Sequence, residues 1–122
     1  MACTRKTLLI VEDSDFNRDL LAQIFEDAYE IELAADGPAA LEVAAAKRPD
    51  LILMDIGLPG MSGLEVVRAI RVRASTVPII AVSACVMPGD RERAIEAGCD
   101  DFVAKPVDDA ILVETVARHL GR

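Results

Sequence analysis

The chain is 122 residues long, which is enough for one domain and little more. It is 52% hydrophobic but only 3% aromatic, so its core must be packed from Leu, Ile, Val and Ala; at this length roughly two-thirds of the unfolded surface can be buried, and no staple is needed. A formal net charge of −8 repels phosphate backbones and anionic headgroups, which argues against nucleic acid or membrane as partner.

Short apolar runs alternate with longer amphipathic stretches. Leu8 to Val11 reads as a buried strand; the run stops at Glu12 and Asp13, too soon for a signal peptide. Ser14 to Ala28 reads as a helix, with Leu20, Leu21, Ile24 and Phe25 at helical spacing. Tyr29 to Ala34 alternates apolar and polar residues, as an edge strand does. The turn Asp36-Gly37-Pro38 opens an Ala-rich helix to about Lys47, stopped by Pro49. Leu51 to Met54 is a third buried strand, followed by a Gly-Pro loop. Ser62 and Glu65 have the spacing of a capping box, which starts a helix running to about Val72. Ile79 to Val82 is the fourth strand. Pro88 to Ala97 is the fourth helix, with Gly98 as its stop. Asp101 to Ala104 is a short fifth strand, and a last helix runs from near Asp108 to about Leu120. The longest uncharged stretch, Val77 to Gly89, is interrupted by Pro78 and Pro88 and falls well short of the roughly 20 residues that span a bilayer.

Five successive βα units imply a parallel sheet with helices on both faces. With only five strands and no second half, the expected architecture is an α/β flavodoxin-like doubly wound sheet of order 2-1-3-4-5 spanning residues 1–122 as one domain. In such a sheet ligands bind beyond the carboxyl ends of the strands, at the point where the order reverses. The residues just after the strands are Glu12 and Asp13, then Asp55, then Ser83, then Lys105 followed by Pro106. The first and third strands are neighbours at the switch point, so three carboxylates converge.

Two like charges about 4 Å apart repel by roughly 4 kcal/mol at an effective dielectric of 20. Three therefore need a compensating cation or must take up protons. Lys105 supplies one positive charge; a hard divalent cation with oxygen ligands, Mg²⁺ with Mn²⁺ as a substitute, supplies the rest. The same cation suits Asp55 to nucleophilic chemistry, since carboxylates form aspartyl-phosphates, with Lys105 and the Ser83 hydroxyl placed to stabilise phosphoryl oxygens.

The pieces Leu9-Ile-Val-Glu-Asp13, Leu53-Met-Asp55-Ile-Gly-Leu-Pro-Gly-Met-Ser-Gly63, Ala81-Val-Ser83-Ala and Ala104-Lys-Pro106 follow one another at the ends of four core strands. In this the chain resembles, along its whole length, the response-regulator receiver domains of two-component systems. The resemblance implies a phosphorylation-activated switch with Asp55 as phospho-acceptor. It implies Mg²⁺ held by Asp13, Asp55 and the Gly57 carbonyl, with Glu12 acting through water. Ser83 would follow the phosphoryl group, Lys105 would pair with it, and the Lys105–Pro106 bond would be cis. Two departures stand out: the acidic pair is Glu12-Asp13 where two Asp are commoner, and Phe102 holds the place of a switch aromatic that is often Tyr. Gly57 and Cys85 occupy positions that in similar proteins tune the phosphoryl lifetime.

The expected donor is a histidine kinase or histidine phosphotransfer protein. Its docking surface is expected at Phe16, Asn17, Leu20 and Pro106. Output is expected through a protein partner on the face of the fourth helix, fifth strand and fifth helix, from a cytoplasmic monomer or weak dimer. The chain ends at Gly121-Arg122 with no room for an output domain, so it is expected to be either a complete chain, which Met1 favours, or a piece of a larger regulator or hybrid kinase. Catalysis would be limited to the domain's own phosphorylation and dephosphorylation.

Plainer readings compete. Asp13 can simply cap the first helix. Cys85 and Cys99 suit inert, partly buried positions, and the odd set Cys3, Cys85 and Cys99 has no disulfide or zinc spacing. His119 suits a partner for the dipole of the last helix. Asp13-Ser-Asp15 faintly resembles a haloacid-dehalogenase-type phosphatase, with Asp13 as nucleophile and Asp15 as acid/base, though no insert long enough to cap a substrate is present. A third alternative is an interaction module that keeps the fold without phosphorylation.

Overall fold

A computed structural model of the chain describes residues 5–57, 62–73, 76–83, 88–104 and 108–120. The strands are β1 (Thr7–Val11), β2 (Glu30–Ala34), β3 (Leu51–Asp55), β4 (Ile79–Ser83) and β5 (Asp101–Ala104). The helices between and after them are α1 (Asp15–Phe25), α2 (Gly37–Lys47), α3 (Gly63–Val72), α4 (Asp90–Ala97) and α5 (Asp109–His119). All neighbouring strands are parallel, in the order β2-β1-β3-β4-β5. The flavodoxin-like arrangement read from the apolar periodicity is therefore the one observed.

The three central strands are apolar without interruption because helices cover both of their faces. Leu9, Val11, Ile52, Met54, Ile79 and Ala81 point to one side and pack with Val66, Val67 and Ile70 of α3 and Ala94 and Ala97 of α4. Leu8, Ile10, Leu51, Leu53 and Ile80 point to the other and pack with Phe25 of α1 and Leu112 and Val116 of α5. Burying each such Leu or Ile contributes about 1.5–3 kcal/mol. A single register slip would exchange the two sets, so the alternation itself fixes which residue stands at each strand end.

Helix ends follow local chemistry. Ser14, Asp36, Ser62 and Asp108 cap α1, α2, α3 and α5 through side-chain oxygens. Both arms of the Ser62–Glu65 capping box are present. Two boundaries differ from those expected. Helix α1 ends at Phe25 rather than Ala28, because the Phe25 carbonyl accepts the N–H groups of both Ala28 and Tyr29 and closes the helix in a turn. Helix α4 begins at Asp90 rather than Pro88, because Gly89 lies in the left-handed region at φ 89° and cannot be part of the helix. Gly98 ends α4 as expected, at φ 124°.

At the amino end of the sheet Arg71, in the last turn of α3, fastens three segments. Its guanidinium donates to the Val77 carbonyl (2.7 Å), to the Gly98 carbonyl (2.7 and 2.9 Å) and to the Asp100 carboxylate (3.0 Å). The same Asp100 oxygen accepts the Ile79 N–H at 2.8 Å. A Cβ on Gly98 would fall 2.7 Å from the Arg71 Cγ, so the clamp needs glycine there. Beside it Cys99 is buried, and burial pushes its thiol up to about 11 despite the opposing Arg71 charge, with Asp100 adding to the rise. The inert role expected for Cys99 fits this setting; Cys3 and Cys85 lie outside the described residues.

Candidate functional site

The opposite, carboxyl end of the sheet carries the acids. The ladder between β1 and β2 extends one step past Val11, with the Glu12 N–H donating to the Ala34 carbonyl at 3.0 Å. This draws Glu12 into the fold until it is 2% exposed. Its carboxylate accepts the Ser14 N–H at 3.1 Å, and its carbonyl accepts Arg18 Nη1 at 3.0 Å. Asp13, the next residue, turns out to solvent. It is Ser14 that caps α1, accepting the Asn17 N–H, so Asp13 is not committed as the cap.

Asp55 is the last residue of β3, buried, and aligned with Val82 of β4. Its Oδ1 accepts the Gly57 N–H at 3.0 Å, and the Ile56 N–H continues the ladder to the Val82 carbonyl. The start of α3 is pressed against its backbone: a Cβ on Gly63 would fall 2.4 Å from the Asp55 carbonyl oxygen. Gly63, quoted in the motif but given no role there, thus lets the start of α3 lie directly against the end of β3.

Carboxylate oxygens of Glu12, Asp13 and Asp55 lie within 4.8 Å of one another. They form one wall of a cleft of about 510 Å³ that also includes Asn17, Gly57, Ser83 and Phe102. Ser83 ends β4 and is buried. Phe102 is partly buried, packs against the core on the α4 side and touches the cleft. The sequence-predicted residues Glu12, Asp13, Asp55, Gly57, Ser83 and Phe102 are therefore assembled at one place. Lys105, Pro106 and Cys85 lie outside the described residues. The donor set is oxygen throughout, as a hard divalent cation requires, and it holds more like charge than such a space tolerates alone.

Of the residues expected to dock a donor, Phe16 is 71% exposed and Leu20 is also exposed, on the rim beside Asn17. Asp15 points away to solvent and pairs with Arg18, outside the cleft, so it is not where a phosphatase acid/base would stand.

Two features escaped the sequence reading. The first turn of α4 lends Asp90 and Arg93 to the cleft wall, with Arg93 paired to Asp90. On the adjoining α4–β5–α5 face, Asp101 gathers Arg118 (3.1 Å), His119 (3.0 Å) and Arg91 (3.7 Å), and its Oδ1 accepts the Phe102 N–H at 2.8 Å. Burial alone would raise the Asp101 carboxyl. The hydrogen bonds from His119 and Phe102, with the charges of His119 and Arg91, outweigh it and hold the group below its usual value of 3.8. His119 is thus a partner of Asp101 and not merely a partner of the α5 dipole. Its sequence neighbours gave no sign of this, because the partner lies 18 positions away.

Residues 8–117 match the family model of the response regulator receiver domain. Among curated proteins, the chain is 40% identical over 119 residues to the polar-differentiation response regulator DivK of Brucella anthropi, covering 95% of this chain and 97% of that protein. Among solved structures, the chemotaxis response regulator CheY4 of Vibrio cholerae superposes with a TM-score of 0.88 at 31% identity, covering 95% of this chain and 99% of that one. A CheY-like receiver domain from Methanospirillum hungatei does so with a TM-score of 0.89 at 31% identity, over 97% and 95% of the two chains.

Proposed function

Since this chain belongs to the response regulator receiver domain family and is a phosphorylation-activated switch of two-component signalling, we propose that Asp55 is the phospho-acceptor and that Glu12, Asp13 and Asp55 form its metal site. The observation that carries this reading is the convergence of those three carboxylates within 4.8 Å at the ends of neighbouring central strands. Only one of them, Asp55, sits on the strand itself, with a side-chain oxygen held by the Gly57 N–H.

An oxygen of Asp55 forms the new bond to phosphorus while the phosphorus–nitrogen bond of a donor phosphohistidine breaks. The imidazole leaves with the electron pair and takes up a proton. Mg²⁺, when bound, neutralises the crowded acids and the phosphoryl oxygens. Asp13, Asp55 and the Gly57 carbonyl would hold it, and Glu12 would act through water. Glu12 is buried and its carboxylate accepts the Ser14 N–H, so its position is fixed by the fold. Ser83 donates its hydroxyl to the phosphoryl group, and Lys105 supplies the balancing cation. The exchange adds about 1.5 to 2 negative charges at the cleft. Ser83 and Phe102, both on its wall, carry the change to the α4–β5–α5 face.

The donor is a histidine kinase or phosphotransfer protein that seats on Phe16, Asn17 and Leu20 with Pro106. The output is a protein bound to the α4–β5–α5 face. A cytoplasmic location suits both partners, and no helix among the described residues is long and apolar enough to cross a membrane. Residues 1–122 act as one domain.

The test is incubation with acetyl phosphate and Mg²⁺ followed by intact mass measurement. One added phosphoryl group is expected, lost with EDTA and lost in Asp55→Asn. Retention of the adduct in Asp55→Asn would overturn the assignment.

A further inference from the structure

Arg93 is the only cation among the described residues that lines the acidic cleft. Its side chain is 55% exposed, and its ion-pair partner is Asp90, three positions back in the first turn of α4. Gly89, just before, leaves the room: a Cβ there would stand 3.3 Å from Arg93 Nη1. The guanidinium is thus folded back along the start of its own helix, in the cleft that Asp55, Glu12 and Asp13 also line. We propose that Arg93 is a donor-binding residue. It leaves Asp90 to take a phosphoryl oxygen of the incoming group, and Asp90 holds it in reserve until that group arrives. The inference rests on the assignment of Asp55 as acceptor.

The physical case is one of competing partners. A carboxylate–guanidinium pair within one helical turn whose arginine is more than half exposed is weak, because water screens the guanidinium and its flexible side chain must be held. A phosphoryl group carries more charge than a carboxylate and offers oxygens that match the planar fork of arginine in two parallel hydrogen bonds. A dianion entering a cleft with three carboxylates meets repulsion that grows as it nears Asp55. A solvent-exposed cation lining the same cleft lowers that repulsion along the approach, where a residue fixed at the strand ends acts only on arrival. Asp90 opposes this by competing for the same guanidinium, and so sets how much donor is needed.

A purely structural pair makes a different prediction, because losing either partner should then weaken α4 alike. The rate of Asp55 phosphorylation by acetyl phosphate is measured on the whole chain at saturating Mg²⁺, over a range of donor concentrations, with thermal melts to show that each variant is folded. Arg93→Ala is expected to lower kcat/KM about tenfold, chiefly through KM, and Arg93→Lys to keep most of the activity. Asp90→Asn is expected to raise kcat/KM about threefold by releasing Arg93, and to do nothing in the Arg93→Ala background. Opposite signs for the two single variants, with no effect of the second in the absence of the first, support the inference. Unchanged kinetics in Arg93→Ala overturns it, as does an equal gain from Asp90→Asn with and without Arg93, which would mean simple removal of a negative charge. A wild-type chain that takes no phosphoryl group at Asp55 would instead overturn the acceptor assignment, and this inference with it.

Discussion

At the carboxyl end of the sheet, three carboxylates stand within 4.8 Å of one another; at the amino end, Arg71 spreads its charge over two backbone carbonyls and the Asp100 carboxylate. Both clusters join segments distant in sequence, and both rest on a glycine that admits no side chain, Gly63 above and Gly98 below. They differ in what is left over. Below, donors and acceptors are matched, and the arrangement lowers the energy of the folded state. Above, like charges are gathered at a cost of roughly 4 kcal/mol for a pair about 4 Å apart at an effective dielectric of 20. Folding tolerates that cost because the strands carrying the acids are fixed by the apolar core. The matched cluster and the acidic cluster thus lie at opposite ends of the same sheet, and each is expected to respond to substitution without the other.

The largest break in that pairing is expected from Arg71→Ala. It leaves the Gly98 and Val77 carbonyls and the Asp100 carboxylate to find other partners, and should lower unfolding free energy by about 2–4 kcal/mol in urea titrations. The folded fraction should still accept phosphate on Asp55 at the wild-type rate. Gly98→Ala should cost somewhat less, about 1–3 kcal/mol, from its positive φ and from the displaced Arg71 side chain. Combined with Arg71→Ala it should cost less than the sum, since the clash then has no partner.

On the α4–β5–α5 face, Asp101→Asn should cost about 1 kcal/mol at neutral pH. The folded carboxyl lies below its usual 3.8, so its contribution is complete above that value and is lost as pH falls through the lower folded value. The gap between wild type and Asp101→Asn should therefore close in strong acid, as read from melting curves. The smallest effect, and of opposite sign, is expected from Asp55→Asn without Mg²⁺. Removing one of three like charges should leave stability unchanged or raise it by up to about 1 kcal/mol, even as phosphorylation disappears. A loss instead would mean that Asp55 helps to hold the fold.

Glu12, Asp13, Asp55 and Ser83 were readable because an apolar run announces a buried strand, and in a parallel sheet the residue ending the run must stand at the ligand-binding edge. The capping box at Ser62 and Glu65 was readable from its local spacing alone. Such local logic failed where the determining contact is remote or depends on backbone torsion. Glu26, Asp27 and Ala28 are all acceptable in a helix, and only the doubly used Phe25 carbonyl stops it. Gly89 follows a proline that suits a helix start, and its positive φ shifts that start to Asp90. Arg71 meets Gly98 across 27 positions, which no local spacing encodes. Asp90 and Arg93 had a visible helical spacing, but that they face the cleft follows only from how α4 lies against β5.

Everything proposed for the cleft depends on which carboxylate forms the bond to phosphorus. Borohydride reduction of the chain after treatment with acetyl phosphate and Mg²⁺ converts an aspartyl-phosphate to homoserine, which peptide sequencing locates. Homoserine at position 55, and none when Mg²⁺ is withheld, is the expected result. Homoserine at position 13, or an unaltered chain under full Mg²⁺ and donor, would contradict it.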